Sequence, residues 1–191
     1  MHQQAIMDTN VNGPYRSLGT LPDGSPLPPG RHILVVAAWR SEDRALRAMV
    51  TDLKELVPCA FETMNLESPT EVHYRNSSRA MYERIRRFDA VVFAFSTHDG
   101  SVSSCDGSAD SLPHQGSEAL SPALRLPEGQ LPFGRLFRRR IPAGYLVDGP
   151  LTPELMAAVT THTRAWHLRF RGIATVSDLE SLSVALKTAI R

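Results

Sequence analysis

Ser96-Thr97-His98-Asp99-Gly100-Ser101 gathers hydroxyls, an imidazole, a carboxylate and a glycine on one short stretch. A histidine there could stack on a flat ring or transfer a proton near neutral pH. Gly100 lets backbone approach such a ring closely, and Ser101 with its neighbouring amides can donate to ring carbonyls. A solvent loop is also rich in Ser and Gly, so composition alone leaves both readings open. Arg40, Ser41 and Arg44 form a second set, two guanidiniums and a hydroxyl suited to a phosphate. Asp148-Gly149 is a third candidate contact, although Asp-Gly is also an ordinary turn.

The elements around these residues explain why they could act together. His32 to Ala38 and Ala90 to Phe95 are apolar runs of strand length, as expected of parallel strands buried on both faces. Between them, Ser41 to Leu56 carries Leu46, Met49, Val50, Leu53 and Leu56 at helical spacing, with Pro58 closing the helix. Ala60 to Leu66 reads as a second strand and Arg75 to Arg87 as a second helix. Ile141 to Val147 is a fourth strand. A helix opening at Thr152-Pro153-Glu154 runs to about Arg169, Gly172 ends it, and Ile173 to Val176 is a fifth strand. Asp178 caps a last helix with Leu179, Leu182, Leu186 and Ile190 on one face.

Alternation of this kind requires right-handed crossovers and a parallel sheet covered on both sides. Five units fit an α/β, flavodoxin-like three-layer sandwich with strand order 2-1-3-4-5. Ligands of such sheets bind at the carboxyl ends of the strands, which is where all three polar sets fall. Residues 1–30 read as a flexible Pro/Gly-rich tail and 31–191 as the domain, with a long loop at about 99–130.

With the residues in place, the loop after the third strand resembles the flavin-ring loop of the NAD(P)H-dependent FMN reductases, written Pro-Glu-Tyr-Asn-Gly-Ser. Gly100 and Ser101 match, Asp99 stands for Asn, and Ser96 and His98 depart from Pro and Tyr. The family's phosphate pattern, Gly-Ser-x-Arg-x-x-Ser, aligns with Ala37-Ala38-Trp39-Arg40-Ser41-Glu42-Asp43, where only Arg40 matches. The resemblance implies FMN and NAD(P)H as cofactors, a quinone-like or aromatic acceptor, and a homodimer. It places Arg40, Ser41 and Arg44 on phosphate, and Ser96, Thr97, Asp99, Gly100 and Ser101 on the ring. Asp148 and Gly149 face the same edge because they end the fourth strand, and His98 is the candidate catalytic group by its own imidazole chemistry. The alternative is a flavodoxin-like domain without flavin, acting as an interaction module or in another small-molecule reaction. Its motive is the Ala37-Ala38 pair at the family's Gly-Ser positions, with Glu42 and Asp43, acids that would compete with a phosphate at the helix start. A weaker alternative rests on Ile33 to Leu56, which resembles the opening of a TIR domain. The catalytic glutamate of such enzymes has no counterpart soon after Ser104-Cys105, since the next is Glu118.

Other chemistries find little support. There is no Gly-x-x-x-x-Gly-Lys phosphate loop and no Gly-x-Ser-x-Gly elbow. His162 and His167 are wrongly spaced to share a metal on one helix face. Cys59 and Cys105 are too sparse for a disulfide framework, which fits a reducing cytoplasmic compartment. No apolar run is long enough to span a bilayer. A net charge of +1 demands neither nucleic acid nor an anionic membrane. The run Arg135, Arg138, Arg139, Arg140 reads as a solvated face at the end of the sheet away from the ligand edge.

Overall fold

The computed structural model describes residues 30–97, 121–128 and 140–190. His32–Ala38 (β1), Ala60–Asn65 (β2), Ala90–Ser96 (β3), Pro142–Asp148 (β4) and Arg169–Ala174 (β5) form one sheet of order 2-1-3-4-5. Every pairing is parallel. The helices are Arg44–Leu56 (α1), Val72–Asn76 (α2), Ser78–Ile85 (α3), Pro153–Ala165 (α4) and Leu179–Ala189 (α5). This is the flavodoxin-like sandwich expected from the alternation of apolar runs and helical faces.

The core has two halves because β1, β3 and β4 are buried on both faces. Ile33, Val35, Ala90 and Val92 pack with Leu46, Met49, Leu53 and Leu186 of α1 and α5. Leu34, Val36, Val91, Phe93 and Tyr145 pack on the other side with Met81, Ile85, Val159 and Trp166. On the first face α5 comes close to the sheet at Gly144, where a Cβ would stand 2.8 Å from Leu182 Cδ1.

Three boundaries differ from the sequence expectation. α1 begins at Arg44 and not at Ser41, because residues 40–43 close a turn of their own. The helical stretch at 75–87 is broken at Ser77, whose hydroxyl accepts from Ala80 N–H and starts α3. α4 ends at Ala165 and β5 already begins at Arg169, so Gly172 lies within the strand. The left-handed residue that turns the chain is His167, at φ 54°. Leu168 N–H donates to Thr163 O (2.9 Å) across that turn, supplying the closure that a glycine was expected to provide.

Polar groups in the second core half are ordered by one chain of hydrogen bonds. Thr163 Oγ1 donates to Val159 O at 2.7 Å, so it accepts from the Tyr145 hydroxyl, also at 2.7 Å. The phenol oxygen then accepts from His162 Nδ1 at 3.0 Å, which fixes His162 as the neutral Nδ1–H tautomer. Phe93 meets the imidazole edge-on at 4.6 Å between ring centres. Burial holds the His162 pKa down at about 3, from an ordinary value of 6.5.

That depression has a definite sign. The unfolded chain takes up a proton at His162 below pH 6.5 and the folded chain does not, so stability is lost as pH falls from 6.5 toward 3. The slope from this one group reaches about 1.4 kcal/mol per pH unit. Urea unfolding across that range should show His162→Phe with a shallower loss of stability than the parent, and parallel curves would refute the assignment.

Candidate functional site

The chain passes from β1 to β2 on one side and then to β3 on the other. The carboxyl ends of β1 and β3 are therefore adjacent and flank the point where a ligand crevice opens in this architecture. Two loops face that point, and they differ in how their polar groups are used.

The loop after β1 is closed by its own side chains. Asn65, the last residue of β2, accepts from Trp39 N–H at 3.3 Å and returns an Nδ2–H bond to Trp39 O at 3.0 Å. Arg40 N–H donates to Asp43 Oδ2 at 2.7 Å, and Arg47 Nη2 donates to Arg40 O at 2.7 Å. Ser41 Oγ donates to Glu42 Oε2 at 2.8 Å, and that bond, more than any other influence, holds the Glu42 carboxyl below its usual range. Glu42 and Asp43 were expected in the first turn of the helix. Both instead precede α1, which has no acid in its first turn and no side-chain cap from Asp43. The backbone N–H groups that open α1 are thus not occupied by a capping carboxylate, whereas the Arg40 amide and the Ser41 hydroxyl are already engaged. Arg44 is exposed at the first position of the helix.

The loop after β3 is joined to the end of β4. Ser96 and Asp148 are ladder partners, and the Asp148 carbonyl accepts from Thr97 N–H at 2.9 Å and from Ser96 Oγ at 3.3 Å. The chain leaves β4 through Gly149 at φ 141°, a conformation that side-chain-bearing residues rarely adopt. Ser96, Thr97, Asp148 and Gly149 are therefore brought together at the carboxyl edge. His98, Asp99, Gly100, Ser101 and Cys105 lie outside the described residues.

Two residues at this edge escaped the sequence reading. Trp39 is half-buried at the exit of β1, with the Arg47 guanidinium 5.8 Å above its ring. An aromatic directly after a buried strand was the available signal. Asn65 carried none, because its role depends on β1 and β2 ending side by side. Cys59 is half-buried, and burial pushes its thiol up to about 11, so it is no nucleophile at neutral pH. Among the described residues no group of His, Cys, Asp or Glu could hold a metal, and no helix is long and apolar enough to cross a membrane.

No protein-family model matches the chain, and no curated protein matches it in sequence. Two solved structures are similar in fold. General stress protein 14 from Treponema denticola, in complex with FMN, is 12% identical, with a TM-score of 0.44 over 85% of this chain and 100% of its own. An NAD(P)H:quinone oxidoreductase from Methanothermobacter marburgensis is 14% identical, with a TM-score of 0.41 over 85% of this chain and 96% of its own. Similarity at this level concerns the path of the chain and assigns no residue of the crevice.

The Asn65 amide is the link between the two strand ends. Asn65→Ala leaves Trp39 N–H, Trp39 O and Glu67 N–H without their partner, a loss of about 1–3 kcal/mol. The expected reading is a lower urea midpoint at unchanged slope. A midpoint equal to the parent's would show that the clip contributes nothing.

Proposed function

We propose that this protein is an FMN-dependent oxidoreductase that draws reducing equivalents from NAD(P)H and passes them to a quinone-like or aromatic acceptor. The observation that carries this reading is the start of α1. Its first turn stands at the carboxyl end of β1, beside β3, with neither an acid in it nor a side-chain cap. The Arg44 N–H already donates to Glu42 O at 2.7 Å, and the remaining N–H groups and positive dipole end of such a turn suit a phosphate. These features fit the phosphate end of FMN at the helix, though not in the preceding loop, where Asp43 holds the Arg40 amide.

In this reading Arg44 and Arg40 supply charge to the phosphate. Ser96 and Thr97 line the ring's side of the crevice, and Asp148 and Gly149 fix where β4 ends beside them. The resemblance adds Asp99, Gly100 and Ser101 to the ring contacts, and the chemistry of its imidazole makes His98 the candidate proton donor. Bound flavin supplies the hydride acceptance and release that no side chain can, and the protein positions it and tunes its charge. The protein acts as a homodimer, which light scattering on the same sample would test.

A second reading has its own observation. The Arg40 amide and the Ser41 hydroxyl, both expected on phosphate, are held by Asp43 and Glu42. A domain closed in this way could serve as an interaction module without flavin. Ligand binding separates the two, because a tight nucleotide raises the melting temperature by mass action. A flat response to FMN, FAD, NAD and NADP would favour the second reading.

Within the first reading, Arg40→Ala removes a charge-assisted contact of about 1.5–3 kcal/mol and weakens FMN roughly ten- to a hundredfold. Glu42→Gln has the opposite effect, because it removes an anion next to the phosphate position. Flavin fluorescence titrations at one fixed salt concentration measure both. Equal affinity of Arg40→Ala and the parent would rule out this phosphate site.

A further inference from the structure

The net charge of +1 conceals a strong separation of charge along the chain. Residues 129–147 contain Arg135, Arg138, Arg139 and Arg140 and no acid; residues 155–177 contain Arg164, Arg169 and Arg171 and no acid. Among the described residues, the fold lays 140–147 beside 169–174. Arg169 opens β5 opposite Pro142 of β4, and its N–H donates to Ile141 O at 2.9 Å, next to Arg140. Arg164 stands in the last turn of α4, which ends at the same amino-terminal edge of the sheet.

Arg140, Arg164 and Arg169 are exposed, and none forms an ion pair with a described carboxylate. Arg171 falls at the register shift of β5, and its buried Nε has no hydrogen-bond partner among the described residues. Of the described acids, Asp89, which precedes β3 at the same edge of the sheet, is paired with Arg31, and Glu128 is paired with Arg125. Among the described residues, Arg140, Arg164 and Arg169 thus have no carboxylate paired with them.

Apolar side chains stand exposed among these charges. Phe170, between Arg169 and Arg171, is 45% exposed with its ring stacked on Tyr145. Leu126 is 47% exposed, next to Arg125, whose carbonyl accepts from Trp166 Nε1 at the C-terminal cap of α4. Nucleic acid rewards the charge but has no use for an exposed leucine. An anionic bilayer surface rewards both, since cations sit at its headgroups while apolar side chains enter the acyl boundary.

We propose that the amino-terminal edge of β4 and β5, with the end of α4, is a docking face for anionic lipid headgroups. It lies at the opposite end of the strands from the crevice, so docking leaves that crevice open. The proposal does not depend on flavin binding.

Co-sedimentation with phosphatidylserine-containing vesicles at low salt tests it, with phosphatidylcholine-only vesicles and a single-stranded oligonucleotide as comparisons. The expected result is binding to the anionic vesicles alone, falling as salt rises. Arg164→Gln with Arg169→Gln should weaken it about fivefold for each arginine neutralised. Leu126→Ser should weaken it with the charge untouched. These side chains are exposed, so circular dichroism should show every variant folded. No binding to anionic vesicles, tighter binding to the oligonucleotide, or a double variant that binds as the parent does would each overturn the proposal.

Discussion

Burial of the central strands on both faces is the constraint from which the rest of this structure follows. β1 is buried at every position, and β3 and β4 at all but their last residue. Strands of that kind cannot be left on a surface, so helices must cover both sides and every connection must cross from one end of the sheet to the other. Two consequences are geometric. All strands end at one edge, where the polar loops collect, and all begin at the other, where the C-terminal turns of the helices arrive. That packing requirement places Ser96, Thr97, Asp148 and Gly149 at one end of the sheet and Arg140 and Arg169 at the other.

Within that frame, the chain handles its polar groups differently at different depths. In the core, His162, Tyr145 and Thr163 form a directed chain in which each donor has one acceptor, and burial keeps the imidazole neutral. At the edge strand β2, Arg84 is buried against Glu62 with its guanidinium over the Phe88 ring. Removing either partner would leave a buried charge without compensation, which costs more than the pair itself contributes. At the carboxyl edge, carboxylates are spent on local closure, with Asp43 on the Arg40 amide and Glu42 on the Ser41 hydroxyl. The same residues that shape the β1 exit therefore limit what it can offer a ligand.

The segment 121–128 shows how irregular chain can be fixed without a ladder. Ala123 and Leu124 are buried, Trp166 Nε1 donates to Arg125 O at 2.8 Å, and Glu128 N–H donates to Ser78 Oγ at 2.7 Å. These contacts tie α3 and α4 together over Phe93 and His162. A cavity of about 20 Å³ remains beneath the segment, enough for a single water.

Local sequence determined a good deal. Apolar runs and helical spacings located four strands and the end of the fifth, whose start at Arg169 read as helix, and their alternation with helices implied a parallel sheet, because backbone pairing and two-sided burial allow few other arrangements. The polar stretches after β1, β3 and β4 could be placed at one edge for the same reason. Tertiary structure decided what depends on partners distant in sequence. Gly172 reads locally as a helix terminator, yet the turn is made at His167 because α4 must end in time for Arg169 to meet Pro142. Glu42 and Asp43 read as helix-start acids, yet the Asp43 carboxylate turns back to the Arg40 amide and the helix begins only at Arg44. Trp39 and Asn65 meet only because β1 and β2 end in register. Propensity and periodicity report what a segment can do alone, whereas hydrogen-bond partners and neighbouring charges exist only once the sheet has closed.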